Sequence, residues 1–247
     1  PLWPKSLYAF RASLWTARTG RRLRRKKTAE ADQRRAFDAL TRRLAATQFW
    51  APAGVEAGMS YEAFRTRVAP RSHEHIAPAI ERMKRGEADV LWPGRCAFFA
   101  ATAGTTGSGP QSIPVTEEML AHFRDAALDS LLYYTARVGH AGVFRGRHLF
   151  LGGSTALTPL GDGAAAFAGN LGGIATLNLP RWSEKHLFEP GTGIAQAADW
   201  DARLKAIVAR TRSQAISLLA GMPPWLVVLA AALRGKDPGV TLQTLWP

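Results

Sequence analysis

A run of small and hydroxyl residues separates two apolar stretches in FFAATAGTTGSGPQSIPVT, residues 98–116. Because glycine carries no side chain and tolerates positive φ, the N–H groups and hydroxyls of such a run can converge on phosphate oxygens. Gly104 and Gly109 have P-loop spacing, but Pro110 and Gln111 stand where Lys and Ser or Thr are needed, and a strand is expected next. The run indicates either a phosphate-binding loop of another kind or an ordinary Gly/Ser-rich hairpin turn.

Other reactive side chains form weaker patterns. His73, Glu74 and His75 are of metal-ligating types, but neighbouring positions at a helix entry do not face one another, so we predict no metal site there. No GxSxG sequence accompanies the histidines, which argues against a serine hydrolase. The single cysteine, Cys96, excludes an internal disulfide and a cysteine zinc site, and it fits a cytoplasmic location. Catalytic residues stay unassigned.

The positive charge is concentrated at the start of the chain. The net charge is +13, and residues 1–50 carry 13 Lys and Arg against 3 Asp and Glu, which gives +10 in the first fifth. The run RTGRRLRRKK, residues 18–27, could bind RNA, an acidic membrane or an import receptor, or it is a solvated face. No aromatic residues interleave with it, as a single-strand nucleic-acid binder would require.

The remaining elements alternate helical and strand periodicity, which predicts an α/β fold with sheets flanked by helices. We predict helices near 75–85, after Thr116, from Trp200 through Ile207 and from Pro223 to Leu233, and a helix after Thr28 that buries Phe37, Leu40 and Leu44. Strands are predicted at CAFFAA, SIPV, HLFLGG, IATLNL, AISLLAG and VTLQTLW. The apolar run 215–233 is interrupted by Gly-Met-Pro-Pro, which favours strand, turn and helix over a membrane span. The first and last residues suggest that the chain is cut from a longer protein.

A family resemblance favours the phosphate-loop interpretation. TAGTTGSGPQSIPVT is similar to the phosphate-loop motif of adenylate-forming enzymes, and its flanks include YEAFRTRVAP, HIAPAIERMKRGEADVLWPGR, DWDARLKAIVARTRS and AGMPPWLVVLAAAL. Together these segments resemble the auxin-inducible Gretchen Hagen family of acyl acid-amido synthetases and its bacterial relatives. The resemblance covers residues 48–247, about the N-terminal half of such an enzyme, and leaves residues 1–47 as a basic helical arm. We expect the basic arm to be dispensable for the fold, so that deletion of residues 1–27 leaves the thermal midpoint nearly unchanged.

The resemblance implies a two-step ligase that uses ATP with Mg²⁺. ATP and a carboxylic acid would give an acyl-adenylate and pyrophosphate, and an amine or amino acid would then take the acyl group as an amide. Positions that match the phosphate loop are Thr102, Ala103, Gly104, Thr105, Thr106 and Gly107, with Gln111 where the family has lysine. Positions that match a segment beside the acid pocket are Gly221, Met222 and Pro223; a packed strand-to-helix turn is the alternative. Side chains on the helix after IPVT that could line that pocket are Phe123, Leu131 and Tyr134.

Two residues that differ from the family's phosphate-loop motif, and a missing C-terminal region, bear on the expected activity. Ala103 replaces a small hydroxyl residue, and Gln111 replaces a cation, so charge-assisted bonds to phosphate are lost. The family's later nucleotide-binding motifs and mobile domain lie beyond Pro247, so this chain alone should not complete catalysis. Coenzyme A ligation is a lesser option within the enzyme class. The alternative outside it is a noncatalytic protein, either a degenerate relative or a basic module that binds nucleic acid or membrane.

Overall fold

The computed structural model describes residues 5–24, 29–102, 110–161, 166–197, 199–235, 237 and 239–246. The chain divides into two compact units, which we name after their sheets. The three-strand unit contains residues 1–25, 120–156 and 172–247, and the four-strand unit contains residues 26–119 and 157–171. Each unit has its own cluster of buried apolar side chains.

The four-strand unit is a mixed sheet with helices drawn from the preceding sequence. Strand β1 (Phe98–Ala101) pairs antiparallel with β2 (Ser112–Val115) and parallel with β5 (Phe167–Gly169), and β5 pairs antiparallel with β4 (Leu157–Pro159). The helices are α2 (Ala29–Leu44), α3 (Tyr61–Arg67) and α4 (His73–Lys84). Phe99 at the centre of β1 is fully buried, and Ile80 and Met83 of α4 belong to the same core cluster. Burial of these side chains fixes the strand from which the Gly-rich run departs.

The three-strand unit is a parallel sheet. Strand β3 (Arg147–Leu151) lies between β6 (Phe188–Glu189) and β7 (Ile216–Gly221). The helices are α1 (Lys5–Arg24), α5 (Glu117–Val138), α6 (Leu171–Leu177), α7 (Arg181–His186), α8 (Thr192–Ala195), α9 (Trp200–Thr211), α10 (Pro223–Arg234) and α11 (Leu242–Leu245); α5 through Met119 and Leu171 of α6 are counted with the four-strand unit. Parallel strands need long crossover connections, and here helices fill them. The core cluster consists of Leu149, Leu151, Ile207, Ile216, Leu229 and Leu233.

The α/β prediction is confirmed, and several boundaries agree with the structure. The predicted strand SIPV is β2, and AISLLAG contains β7. Helix α5 begins after Thr116, whose hydroxyl accepts a hydrogen bond from Met119 N at 3.2 Å, as expected of an N-terminal cap. Helix α10 begins at Pro223, as predicted. No helix within the described ranges is both long enough and apolar enough to cross a bilayer.

Two strand predictions are wrong. The segment IATLNL is the C-terminal part of α6 and the turn after it, not a strand. Buried Gly173 lies so close to the carbonyl of Ser154 that a Cβ would overlap it, a tertiary constraint that β propensity does not register. The segment VTLQTLW contains α11, because Thr241 and Thr244 form a reciprocal capping box that starts a short helix.

The basic N-terminal segment is packed in the described structure. Ala12 of α1 is buried in a cluster with Leu132 and Phe144, and the hydroxyls of Thr16 and Thr135 are 2.8 Å apart. These contacts argue against the expectation that residues 1–27 are dispensable for the fold. These contacts were not predicted from the sequence, because only one face of the helix is apolar and the rest of its surface is cationic.

Helix α2 buries only part of its predicted face. Phe37 and Leu44 pack on the cluster of Val55, Met59 and Val68, whereas Leu40 is 47% exposed. The Phe37 ring also meets the ring of Phe64 edge-on, with the ring centroids 5.5 Å apart. The apolar stripe of α2 is therefore narrower than the sequence pattern predicts.

Candidate functional site

The ends of the Gly-rich run are joined by a pair of hydrogen bonds. Thr102 N donates to the Gln111 carbonyl at 2.9 Å, and Gln111 N donates to Thr102 Oγ1 at 3.0 Å. Strands β1 and β2 extend this closure as an antiparallel ladder from Ala101 paired with Ser112 to Phe98 paired with Val115. The predicted connection of two neighbouring strands is thus confirmed, and Thr102 and Gln111 are joined where the run begins and ends.

The predicted phosphate-binding positions inside this loop lie outside the described residues: Ala103, Gly104, Thr105, Thr106 and Gly107. At the base, the Thr102 hydroxyl accepts the bond from Gln111 N, and its own hydrogen can still be donated. The structure therefore gives Thr102 a loop-closing role. Its contact with phosphate stays a prediction.

The start of α5 is acidic, which argues against anion binding at that helix terminus. Glu118 accepts hydrogen bonds from Trp92 Nε1 at 3.0 Å and from Arg43, whose guanidinium lies 5.6 Å from the Trp92 ring centroid. Partial burial raises the pKa of Glu118, but hydrogen bonds from its own backbone, from Trp92 and from Arg43 outweigh that effect and hold the pKa below its ordinary value. The carboxylate cancels the positive helix end, so phosphate is not favoured there.

The carboxyl ends of the parallel strands bring distant segments together in the three-strand unit. Leu151 of β3 is paired with Gly221 of β7 and is followed by Gly152, while β6 ends at Glu189 before Pro190. Ligands of open α/β sheets commonly bind at this edge. The edge is therefore the first place in this unit to look for a ligand site.

The predicted acid-pocket segment lies at this edge. Gly221 is packed closely, since a Cβ there would be 2.8 Å from Leu151 Cβ. Met222 is 57% exposed, and Pro223 is the first residue of α10. These features fit a required turn glycine and an accessible methionine, and the ligand role of the three residues stays a prediction.

An apolar cavity of about 250 Å³ lies beside α5 in the three-strand unit. Its apolar walls come from α5, β3, β6, α7 and the segments around them and include Leu128, Leu131, Phe144, Phe150, Leu179, Trp182, Leu187 and Phe188. Of the three α5 side chains proposed for a pocket, Leu131 lines this cavity. Phe123 and Tyr134 do not, and Tyr134 is half exposed.

The polar residues of the same cavity are Arg124, Asp125, His148 and Ser183. His148 is buried on β3, with Nε2 2.9 Å from the Val143 carbonyl. Burial lowers the pKa of His148, while the bond to the carbonyl opposes the shift, so the ring is neutral at pH 7 with its Nε2 proton donated to Val143. No sequence pattern selects His148, because a single histidine in a strand usually belongs to the core.

Glu189 fixes the end of β6. Its carboxylate is fully buried and forms ion pairs with Arg147 and Arg210. Arg147 also donates to the carbonyls of Lys185 and Phe188, each at 2.8 Å. The hydrogen bond that Arg210 donates to Glu189 raises the pKa of Arg210. Two cations from separate elements therefore hold one carboxylate at the sheet edge.

The carboxylates, the histidines and the cysteine are the side chains that could ligate a metal ion. Among the residues that the structure describes, no three of these side chains are placed to hold a metal ion. Ser72 Oγ lies 2.9 Å from His75 Nδ1 at the start of α4, so that histidine takes part in local capping.

Comparison with known proteins gives the family. Residues 21–160 match the GH3 family N-terminal domain, and 22 solved chains resemble the structure. One of them, a GH3.15 acyl acid amido synthetase, superposes with a TM-score of 0.62 at 18% identity, over 82% of this chain and 35% of that chain. This chain thus spans about a third of that protein's length, and likeness at this identity concerns the fold. No curated protein matches it. Because the family match covers more than half of its residues, the chain belongs to the GH3 family.

Proposed function

We propose that this chain is the N-terminal part of an ATP-dependent acyl acid-amido synthetase. The observation that carries the proposal is a Gly/Thr loop between β1 and β2, closed by Thr102 and Gln111, in a chain of the GH3 family. In the first step a carboxylate oxygen attacks the α-phosphate of ATP, which forms an acyl-adenylate and releases pyrophosphate. In the second step an amine attacks the acyl carbon and forms an amide, with AMP as the leaving group.

The loop would stabilise the negative charge of the triphosphate. Backbone N–H groups and hydroxyls between Thr102 and Gly107 would bind the β- and γ-phosphates, and fixed donors of this kind stabilise charge well in a partly dry site. Mg²⁺ would enter bound to ATP. Gln111 can donate a hydrogen bond but supplies no charge, so other cations must neutralise the phosphates.

The apolar cavity beside α5 would hold the organic part of the acid. Its walls are mainly aliphatic and aromatic, and its volume of about 250 Å³ accommodates a small hydrophobic group. Arg124, at the same cavity, supplies a cation for a carboxylate before adenylation, although its Nη1 also lies 3.4 Å from the Asn178 carbonyl. The cavity thus fits a small apolar carboxylic acid.

The test is carboxylate-dependent exchange of radioactive pyrophosphate into ATP, measured with the complete product of the gene that encodes this chain. Gly104→Val should abolish exchange, because a β-branched side chain blocks close approach of the backbone to phosphate. Gly20→Val is the control, since a Cβ there meets no atom within 4 Å. Normal exchange and ATP binding in a folded Gly104→Val variant would refute the phosphate-loop assignment.

A second candidate function is binding of a polyanion through α1. Arg18 and Arg21 are exposed on the same side of this helix as Phe10 and Leu14, opposite the buried residue Ala12. A basic face with exposed apolar residues is typical of helices that bind acidic membrane surfaces. Co-sedimentation with phosphatidylserine vesicles that decreases with added salt would support this function, whereas equal affinity for phosphatidylcholine vesicles would oppose it.

A further inference from the structure

Arg203 is a buried cation that lacks a counter-charge. The residue is 8% exposed, and its guanidinium carbon lies 4.8 Å from the centroid of the Trp200 ring. Within the described part of the chain, its guanidinium forms no hydrogen bond or ion pair, whereas Arg147 and Arg210 are both paired with Glu189. Burial lowers the pKa of Arg203, but an arginine stays charged in proteins. No nitrogen of its side chain is both fully buried and without a partner, so the guanidinium keeps access to solvent and can be reached by a ligand.

Arg203 lines a small cavity at the carboxyl edge of the parallel sheet. The cavity has a volume of about 30 Å³, above the roughly 10–15 Å³ that a single water molecule requires, so it can admit a small polar group such as a carboxylate. Its wall includes Gly153, which follows β3, and Pro190, which follows β6. Phe150, Phe188 and Trp200 make much of the remaining wall apolar. The cation is therefore held in surroundings of low polarity, where its attraction for an anion is strong.

Two residues with hydrogen-bond donors that have no partner among the described residues, Gly153 and Thr176, are among the lining residues of the same cavity. The N–H of Gly153 and the hydroxyl of Thr176 enter no hydrogen bond with any residue that the structure describes. No aspartate or glutamate is among the lining residues. The cavity thus combines a cation with two neutral donors and offers an anion no competing carboxylate.

We propose that Arg203, Gly153 and Thr176 bind the carboxylate group of a small organic molecule. A guanidinium donates two parallel hydrogen bonds to a carboxylate, which suits a planar group better than a spherical ion. The cavity is too small for a triphosphate, and its aromatic wall favours a ligand with an apolar part. The inference rests on the proposed function only for the source of the carboxylate, which is the amino acid that accepts the acyl group if Arg124 binds the activated acid, and the activated acid itself if Arg124 does not.

The first experiment measures carboxylate binding to the full chain without ATP. Acetate, glycine, glycinamide and inorganic phosphate are titrated at constant ionic strength while the amide resonance of Gly153 and the indole resonance of Trp200 are followed by NMR. Acetate or glycine should shift both resonances saturably, and glycinamide should not. Preference for acetate identifies the activated acid as the source, and preference for glycine identifies the amino acid. Absence of saturation with both carboxylates, or stronger binding of phosphate, would overturn the proposal.

Variants separate ligand binding from a structural role. Arg203→Met keeps the buried volume but removes the charge and should abolish the carboxylate-dependent shifts. Lys205→Met removes an exposed cation from the same helix and should leave them unchanged. Without ligand, Arg203→Met should unfold at the same temperature as the wild type or at a higher one, because the unpaired charge is gone. A lower unfolding temperature together with unchanged carboxylate shifts would show that Arg203 is only structural. These readouts need no ligase activity, so failure of the proposed reaction would leave this binding result standing.

Discussion

The two units build their candidate sites by different means. In the four-strand unit, the Gly-rich loop is closed by residues nine positions apart, Thr102 and Gln111, through one backbone bond and one hydroxyl bond. In the three-strand unit, the sheet edge depends on residues from separate strands and helices, since Glu189 is held by Arg147 and Arg210. A site made from a local motif can be recognised in the sequence, whereas a site made by long-range pairing appears only in the fold.

This difference predicts that Glu189 is more important for stability than any contact at the loop base. Glu189→Ala should lower the free energy of unfolding by about 3 kcal/mol, because it leaves two arginines without their buried partner. Urea denaturation followed by circular dichroism measures the change. The control is Glu56→Ala, which breaks the exposed pair with Arg67 and should cost about 0–1 kcal/mol. Equal losses in the two variants would contradict the contrast between the units.

The buried His148 predicts an acid-sensitive fold in the three-strand unit. Its pKa in the folded state lies below the ordinary value of 6.5, so the folded protein resists a proton that the unfolded chain accepts. Stability is therefore fully present above pH 6.5 and is lost as the pH falls from 6.5 toward the lower folded pKa. His148→Gln removes this titration and should flatten the dependence of the urea midpoint on pH in that window. An unchanged slope would exclude His148 as its source.

Removal of α1 tests whether the basic segment belongs to the three-strand unit. Deletion of residues 1–27 exposes the partners of Ala12 and Trp15 and should cost at least about 1 kcal/mol, or about 2–4 °C in the thermal midpoint of a chain of this size. Replacement of Arg18 and Arg21 by glutamine keeps the packed face and should leave the midpoint within about 1 °C, given the small effect of surface substitutions. An unchanged midpoint after the deletion would restore the view that this segment is dispensable.

The smallest effect on stability is expected at the loop base. Thr102→Val removes the hydroxyl that accepts the bond from Gln111 N and should cost about 0.5–1.5 kcal/mol. In the complete gene product the same change should raise the apparent KM for ATP in the exchange assay, because the loop is less well closed. Thr102→Ser, which retains the hydroxyl, is the matched control. A loss of stability as large as that of Glu189→Ala would remove the distinction between the units.

Gln111→Lys tests whether the Gly-rich loop of the four-strand unit binds the triphosphate of ATP. If the loop binds the triphosphate, the added cation should lower the apparent KM for ATP by an amount equivalent to about 1.5–3 kcal/mol for one charge-assisted bond. Ser112→Lys places the same charge one position further along the chain, on β2, and serves as its control. A rise in KM with Gln111→Lys alone would show that a cation at this position disturbs the loop.

The sequence alone determined the elements whose signals are local. Thr116 with two following glutamates marked the start of α5, Pro223 marked α10, and the order of Gly, Thr and Pro around residues 102–111 carried the family resemblance. These features depend on backbone conformation, capping and short-range spacing, which neighbouring residues set.

Features that join distant residues became apparent only in the folded chain. IATLNL lies in α6 and the turn after it, beside the close packing of Gly173 on Ser154. The basic segment has a buried face, and Glu189 is paired with two arginines. The lack of a counter-charge at Arg203 also could not be predicted from the sequence, since the pattern of DWDARLK is typical of an exposed helix start. Burial and pairing depend on which residues meet across the chain, and periodicity within one segment does not specify those partners.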